Sequence, residues 1–556
     1  MHRCLAISEI IALICEFVIS DGSHRKCRKD LGSLARSCRT LYPQAVAALW
    51  KVLDSLRPLL RSLPADTFIR NKKKKLEYAM ARHICQEELT RFIFFASLVK
   101  ELSLTWVPDK TCLDALHLSL PAPILPNLRV FEWRKARSDS LGYILLFLHS
   151  RIARLVIQTS YSAHNSNVLT LLPRLRALCP AVQSFELSGA LVLSLSHLRI
   201  VSDAATRWEN IQSLTVPHVD DTDLMRLATF PRLQELSIND PSQHRILVSP
   251  ISAPAFPSLC ALSVRPQSMD YAINLLRAVP TTLQLHTFSA ACYFTEKRDS
   301  WATLIVAVTQ TCEWNTLCDI TIRETCDYNE DDIEAEDEDA EWPFAIAFDT
   351  LVHLNVFSNL RHLSLECWGG FLVCDSELSD LARAWPLLET LSLVVARPGN
   401  RPYEATIHAL VHVAQHCPVL NSLTLDFSAR DLTYAEHDTR GIRQSSLTHL
   451  DVRYSLITSA PVVAAFLSAI FPKLASITSS EAEADSDDSD SDSELEESGR
   501  EGKIRQKKWS QVEELLPVFR FVRTQERHEQ AGDAQTDDDK ASPLEDWIYD
   551  TDYSIL

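Results

Sequence analysis

Glycine is scarce in this chain, at 11 of 556 residues, and there are only 4 methionines. So little glycine excludes a collagen-like repeat, and a hydrophobic fraction of 46% excludes a wholly disordered polypeptide. No CxxC pair occurs, although 15 cysteines are scattered along the sequence. Without a secretory signal, such cysteines read as reduced, buried small hydrophobes. The phosphate-binding GxGxxG and Walker loops are absent, as are HExxH and GxSxG, so no cofactor is expected. His408, His412 and His416 do fall at i, i+4 and i+8 on a predicted helix, but no carboxylate joins them, and a solvated helix face is the simpler reading.

Long apolar runs are missing too. The nearest approach, Ile10–Ile19, is interrupted by Glu16 and preceded by Glu9, and no small-residue cleavage site follows. Its apolar residues Ile7, Ile10, Ile11, Ile14, Phe17 and Val18 recur three and four apart, which predicts an amphipathic helix. No stretch reaches 18 uncharged apolar residues, so no membrane association is expected, and the reading is cytoplasmic or nuclear.

The formal charge of −18 is confined to two runs. Glu330–Glu341 carries −9 and Glu481–Glu501 carries −10, which leaves the remainder at about +1. A nearly neutral body has no basic field for nucleic acid, so no nucleic-acid partner is expected.

What the chain does have is a recurring line. "FPRLQELSIND" at Phe230–Asp240 is echoed by "FPSLCALSVRP", "FSNLRHLSLEC", "WPLLETLSLVV" and "CPVLNSLTLDF". The pattern apolar-x-x-apolar-x-apolar appears fourteen times, from Val99 to the line beginning at Leu474, at steps of 22 to 43 residues. The widest step, Leu317 to Leu360, contains the first acidic run, which is therefore an inserted loop at 329–342. The closing apolar-x-apolar alternates as a half-buried strand does. Between the strands lie segments such as Asp220–Phe230 and Thr406–Cys417, with helical spacing. A strand and helix this short cannot bury an apolar face alone, so the units must stack.

In ten of the fourteen lines the middle residue of the strand is serine or threonine. Ser237, Ser263, Thr321, Ser364, Ser392 and Thr424, with Asp451, are the candidate residues of a concave binding face. Crowding on an inner curve would also favour such small polar groups.

These lines resemble the leucine-rich repeat family over about Val99–Ile477. "CPAVQSFEL" and "CPVLNSLTL" are similar to its cysteine-containing subclass. The resemblance implies an α/β solenoid: a curved sheet of short parallel strands with helices outside. The asparagine that many such repeats carry after the strand is missing from most lines, which leaves open how the turns satisfy their backbone.

The first 64 residues do not repeat. Three amphipathic helices are predicted, with Leu31, Leu34, Ala35, Cys38 and Leu41 on one face and Pro43 as punctuation before Ala45–Trp50. So small a trio leaves an apolar face for docking. "MHRCLAISEI", "LARSCRTL" and "ALWKVLDSLRPLLRSLP" resemble the F-box, especially that of mushroom-forming fungi. Ser8 stands where that motif usually has proline. By residue match the adaptor-facing positions are Leu5, Ile7, Glu9, Ile10, Ile14, Leu34, Cys38, Leu41 and Trp50. The resemblance implies a Skp-type adaptor as partner, through it a cullin scaffold, and the role of substrate receptor in an SCF-type ubiquitin ligase. The substrate protein is not named by it. The rival reading is a repeat scaffold for protein interaction, unrelated to ubiquitin, with the helical head as a mere cap.

The expected organisation is therefore a head at 1–64, a helical linker or cap at 65–98, the solenoid at 99–478, an acidic serine-rich linker at 479–502, and a tail at 503–556. Within the tail a helix is expected at 509–529, broken near Pro517. Ser489, Ser491 and Ser493 each have an acid three residues later, the context acid-directed kinases favour. Lys72–Lys75 and Lys503–Lys508 are basic clusters that suit either nuclear import or plain solvation, and Asp546–Leu556 could be a short docking motif.

Overall fold

The computed structural model describes residues 7–20, 24–70, 78–136, 141–159, 166–189, 195–239, 251, 255–280, 282–293, 295–325, 344–395, 404–432, 441–480 and 493–532. Leu5, the acidic insertion 329–342, Lys72–Lys75, Ser489, Ser491 and the segment Asp546–Leu556 lie outside these residues. The chain divides into two compact units, 1–370 and 371–556.

In the first unit, every repeated line becomes a parallel strand. The strands run Glu101–Leu104, Val130–Ala136, Arg154–Thr159, Ser184–Gly189, Ser213–Val216, Glu235–Ile238, Ala261–Val264, Thr287–Cys292, Asp319–Glu324 and His362–Cys367. Each pairs with the next in the same register, apart from a shift after Trp133 in the second strand, so equivalent residues stand side by side, as in Leu236↔Leu262 and Leu262↔Phe288. The second unit repeats the arrangement with Thr390–Val395, Ser422–Thr424, His449–Asp451 and Ser476–Thr478. The expected α/β solenoid of short parallel strands and flanking helices is the observed architecture.

Parallel sheets are usually covered on both faces and read as unbroken apolar runs. Here the strands alternate, with burial patterns such as buried Leu262 and Val264 between half-buried Ala261 and Ser263. Helices such as Met269–Ala278 and Arg298–Thr311 therefore cover one face and leave the other open. Fixing a residue's backbone costs about 1–2 kcal/mol, while burying one leucine returns about 1.5–3 kcal/mol. A lone unit with two inward strand residues falls short, which is why the apolar side chains form ladders through the stack.

At three places a side chain other than asparagine pairs with the turn backbone. After Asp319–Glu324 the buried Glu324 accepts from Trp301 Nε1 (2.6 Å), Trp368 N (2.6 Å) and Glu296 N (3.2 Å). Trp208 Nε1 donates to Cys179 O at 2.9 Å. In the second unit Gln444 Nε2 donates to Leu420 O (2.6 Å), and its Oε1 accepts from Leu447 N (2.8 Å). Different side chains thus do one job, pairing turn backbone that burial would otherwise orphan.

Two expectations are corrected. A further strand, Val52–Leu53, precedes the first repeated line and pairs with Glu101–Leu102, so the sheet begins inside the head. The helix expected at 509–529 runs instead from Ser493 to Gly532, through Pro517, and takes in part of the presumed linker. Proline removes one backbone donor, but anchors on both sides hold the helix together. Trp509, Val512 and Leu516 are buried before it, and Arg523 Nη2 bonds Ala465 O at 2.8 Å after it.

Candidate docking surfaces

The head is built from helices α1 (Ser8–Ser20), α2 (His24–Ser37) and α3 (Tyr42–Lys51). Its core is small: Ile11, Cys15, Leu31 and Ala45 are buried, with Val18, Ile19, Leu34, Ala35, Leu41, Ala48 and Leu49 packed around them. Helix α1 contributes one side to that core and carries a second apolar stripe on the other. Ile7 is 47% exposed, Leu13 64% and Ile14 39%. Ile10 is half-buried and Glu9 exposed, with Ser8 Oγ donating to Glu9 Oε2 at 2.9 Å. Backbone and serine hydrogen bonds hold the Glu9 carboxyl below its usual range.

The nine matched positions therefore separate. Ile7, just before α1, is exposed, as are Glu9 and Ile14 within it, Ile10 is half-buried, and Leu5 is outside the described residues. Leu34 and Leu41 are turned to the head's own core. Cys38 is half-buried at the end of α2, where a backbone hydrogen bond from Leu41 draws its thiol down. Trp50 is committed elsewhere: its ring stacks on Phe95 of the linker helix Leu89–Leu98, centroids 4.2 Å apart. Leu13 belongs to the exposed stripe and was missed. The signal was present, since a helix apolar on both sides must serve two contacts.

The head is stitched to the first repeats through backbone as well as through Trp50. Lys100 N donates to Lys51 O at 2.9 Å, and Lys51 Nζ meets Glu16 of α1 at 3.3 Å.

The open sheet face is the second surface. In the first unit Thr215, Ser237, Ser263, Ser289, Thr321 and Ser364 form one unbroken row in register. In the second, Ser392, Thr424, Asp451 and Thr478 do the same. All the candidate face residues, Ser237, Ser263, Thr321, Ser364, Ser392, Thr424 and Asp451, are half-buried. Asp451 is partly spent on its own turn, where Oδ1 accepts from Arg453 N at 3.0 Å. Charge collects beside the hydroxyl row. Glu132 accepts from Ser103 (3.2 Å) and pairs with Arg134 (3.0 Å) and Arg154 (3.5 Å). At the other end burial pushes the Asp319 carboxyl up, against the pull of neighbouring His362.

The histidine series does not converge. His408 precedes the helix Ala409–His416 and packs edge-on to Phe466, while His416 has its imidazole drawn down by burial and by Arg383. Among the described residues no group of three or more His, Cys, Asp or Glu side chains could hold a metal ion. Nor is any described helix long and apolar enough to cross a membrane.

No family model matches the chain, and no curated protein matches it. Among solved structures it is similar to a chain of the Rad7 and Elc1 complex of yeast, at 15% identity. That match covers 62% of this chain and 78% of the other, with a TM-score of 0.32.

Proposed function

We propose that this chain is the substrate receptor of an SCF-type ubiquitin ligase. The head docks a Skp-type adaptor, the adaptor connects it to a cullin, and the open face of the repeats holds the protein to be modified. The observation that carries this reading is the second apolar stripe of α1, with Leu13 64% and Ile14 39% exposed on a helix whose other side already fills the head's core. A helix laid into such a stripe is a common mode of protein recognition. The receptor would contribute effective concentration, holding its cargo beside a ubiquitin-charged enzyme.

The test is co-purification with a Skp-type adaptor, using the full chain and Leu13→Asp combined with Ile14→Asp. Both side chains are exposed, so folding should be unchanged while adaptor recovery falls to background. Adaptor retained by the double variant overturns the reading.

The stacking of Trp50 on Phe95 favours a second reading, in which the head serves the repeats as a cap and the chain is an interaction scaffold. In that case the full chain captures no adaptor at any concentration, and Leu13→Asp is silent.

A further inference from the structure

The open face of the first unit has two margins of opposite charge. Along the starts of its strands Glu235, Ala261, Thr287 and Asp319 stand side by side. Four residues further on, past the hydroxyl row, the other margin carries Arg265 and Arg323. Between the margins the row from Thr215 to Ser364 offers nothing larger than a threonine. One side is acidic, the other basic, and the floor is small and neutral.

The chain itself barely uses these charges. Glu235 accepts from Ser213 Oγ at 2.7 Å, and Asp319 has Thr321 and His362 beside it. Neither pairs with a lysine or arginine among the described residues. Arg265 is exposed, and no side chain among the described residues engages it. Arg323 meets Glu366 at 4.0 Å, an exposed pair that contributes little and exchanges readily. On the strand between the two arginines, Tyr293 directly follows Cys292 and is 46% exposed. Tyrosine and arginine are the residue types that most often anchor protein interfaces.

Dimensions narrow the occupant. Neighbouring strands lie about 4.8 Å apart, so the six rungs of the row span about 24 Å. Four residues along a strand set the margins about 13 Å apart. An α-helix with its side chains is about 10–12 Å wide, and about sixteen residues of it cover 24 Å. Such a helix fits between the margins if small residues meet the floor. Arg265 and Arg323 are two strands apart, about 10 Å, which matches acids about seven residues apart on one helix flank. Glu235 and Asp319 are three strands apart, which matches bases about ten or eleven residues apart on the other flank. An extended segment repeats a flank every second residue, about 7 Å, and misses the arginine spacing.

We propose that this face binds a helical segment of the partner protein, laid across the strands, with acids toward Arg265 and Arg323 and bases toward Glu235 and Asp319. The inference deepens the receptor reading and rests on it for the identity of that partner as the protein to be modified.

The full chain is titrated by fluorescence anisotropy with a labelled synthetic helix of about 18 residues, stapled on its outer side. Its inner alanine stripe is flanked by two glutamates about seven residues apart and two lysines about eleven apart. One control has glutamine at all four charged positions, and another keeps the charges but replaces the staple with two prolines. Saturable binding of the charged helix is expected, at least tenfold weaker for both controls and for Arg265→Glu combined with Arg323→Glu. A helix with lysines on both flanks should regain affinity for that variant. Both arginines are exposed, so the exchange leaves the fold intact. Ser289→Arg, which fills the floor, should abolish binding. No binding of the charged helix, equal binding of the proline peptide, or full affinity in the arginine variant overturns the proposal. Adaptor co-purification keeps the two readings apart. Adaptor bound without the helix sinks this inference alone, and helix bound without adaptor sinks only the receptor.

Discussion

The head and the carboxy-terminal helix both face the problem of a sheet edge, and they solve it by different means. An exposed strand edge invites pairing with other chains. In the head the answer is mostly backbone: Val52–Leu53 adds a two-residue strand, Lys100 N finds Lys51 O, and Trp50 lies on Phe95. In the helix Ser493–Gly532 the answer is side chains. Trp509 Nε1 reaches Ser455 O at 2.9 Å, its ring meets Phe427 edge-on, and Glu513 Oε1 receives Ile477 N of the last strand at 3.4 Å. The difference teaches where each can be spared. A backbone seam leaves the outer side of α1 free for another duty, whereas the carboxy-terminal helix depends on a few large anchors.

If that contrast is right, the largest loss comes from Trp509→Ala. Emptying a site that is 1% exposed should cost about 3–5 kcal/mol, read by chemical denaturation of the full chain. A cost under about 1 kcal/mol would remove the anchor from the comparison.

Next comes the interior of the first unit, where a buried carboxylate rather than an edge sets stability. Desolvation raises Glu324 from an ordinary 4.5 to about 7, opposed by its hydrogen bonds from Trp301, Trp368 and Glu296. The folded chain therefore keeps this proton up to about pH 7, while the unfolded chain releases it near 4.5. Between those values the native state binds more protons, so stability falls as pH rises from about 4.5 to 7 and levels off above. The fall should amount to at most about 3 kcal/mol, and Glu324→Gln should flatten it. A pH profile identical in the variant would sink this account.

The smallest effect is expected at the backbone-sewn end. Trp50→Ala removes one stacked ring, while the strand pairing of Val52–Leu53 survives, so about 1–2 kcal/mol is expected in the same denaturation. Loss as large as that of Trp509→Ala would show that the two ends are built alike.

The repeats were legible because their signal is local. Each apolar-x-x-apolar-x-apolar line needs only its own six residues to be recognised, and all fourteen became strands. The head's exposed stripe was half legible, since Ile7, Ile10 and Ile14 announce themselves by spacing, but the same spacing cannot say which apolar residues point inward. Leu34 and Leu41 were consumed by the head's core, and Trp50 by a ring 45 residues away. Pro517 was read as a break because local rules say so, and packing on the helix Ala460–Ile470 overrode them.

By itself, then, the sequence determined the architecture: leucines at strand period, joined by helix-period segments too small to stand alone, have to stack. Only the tertiary structure decided which side chains satisfy the turns, and that Val52–Leu53 begins the sheet. Those outcomes depend on groups 20 to 50 residues apart meeting where water is excluded, and burial, unlike periodicity, cannot be read from a short window.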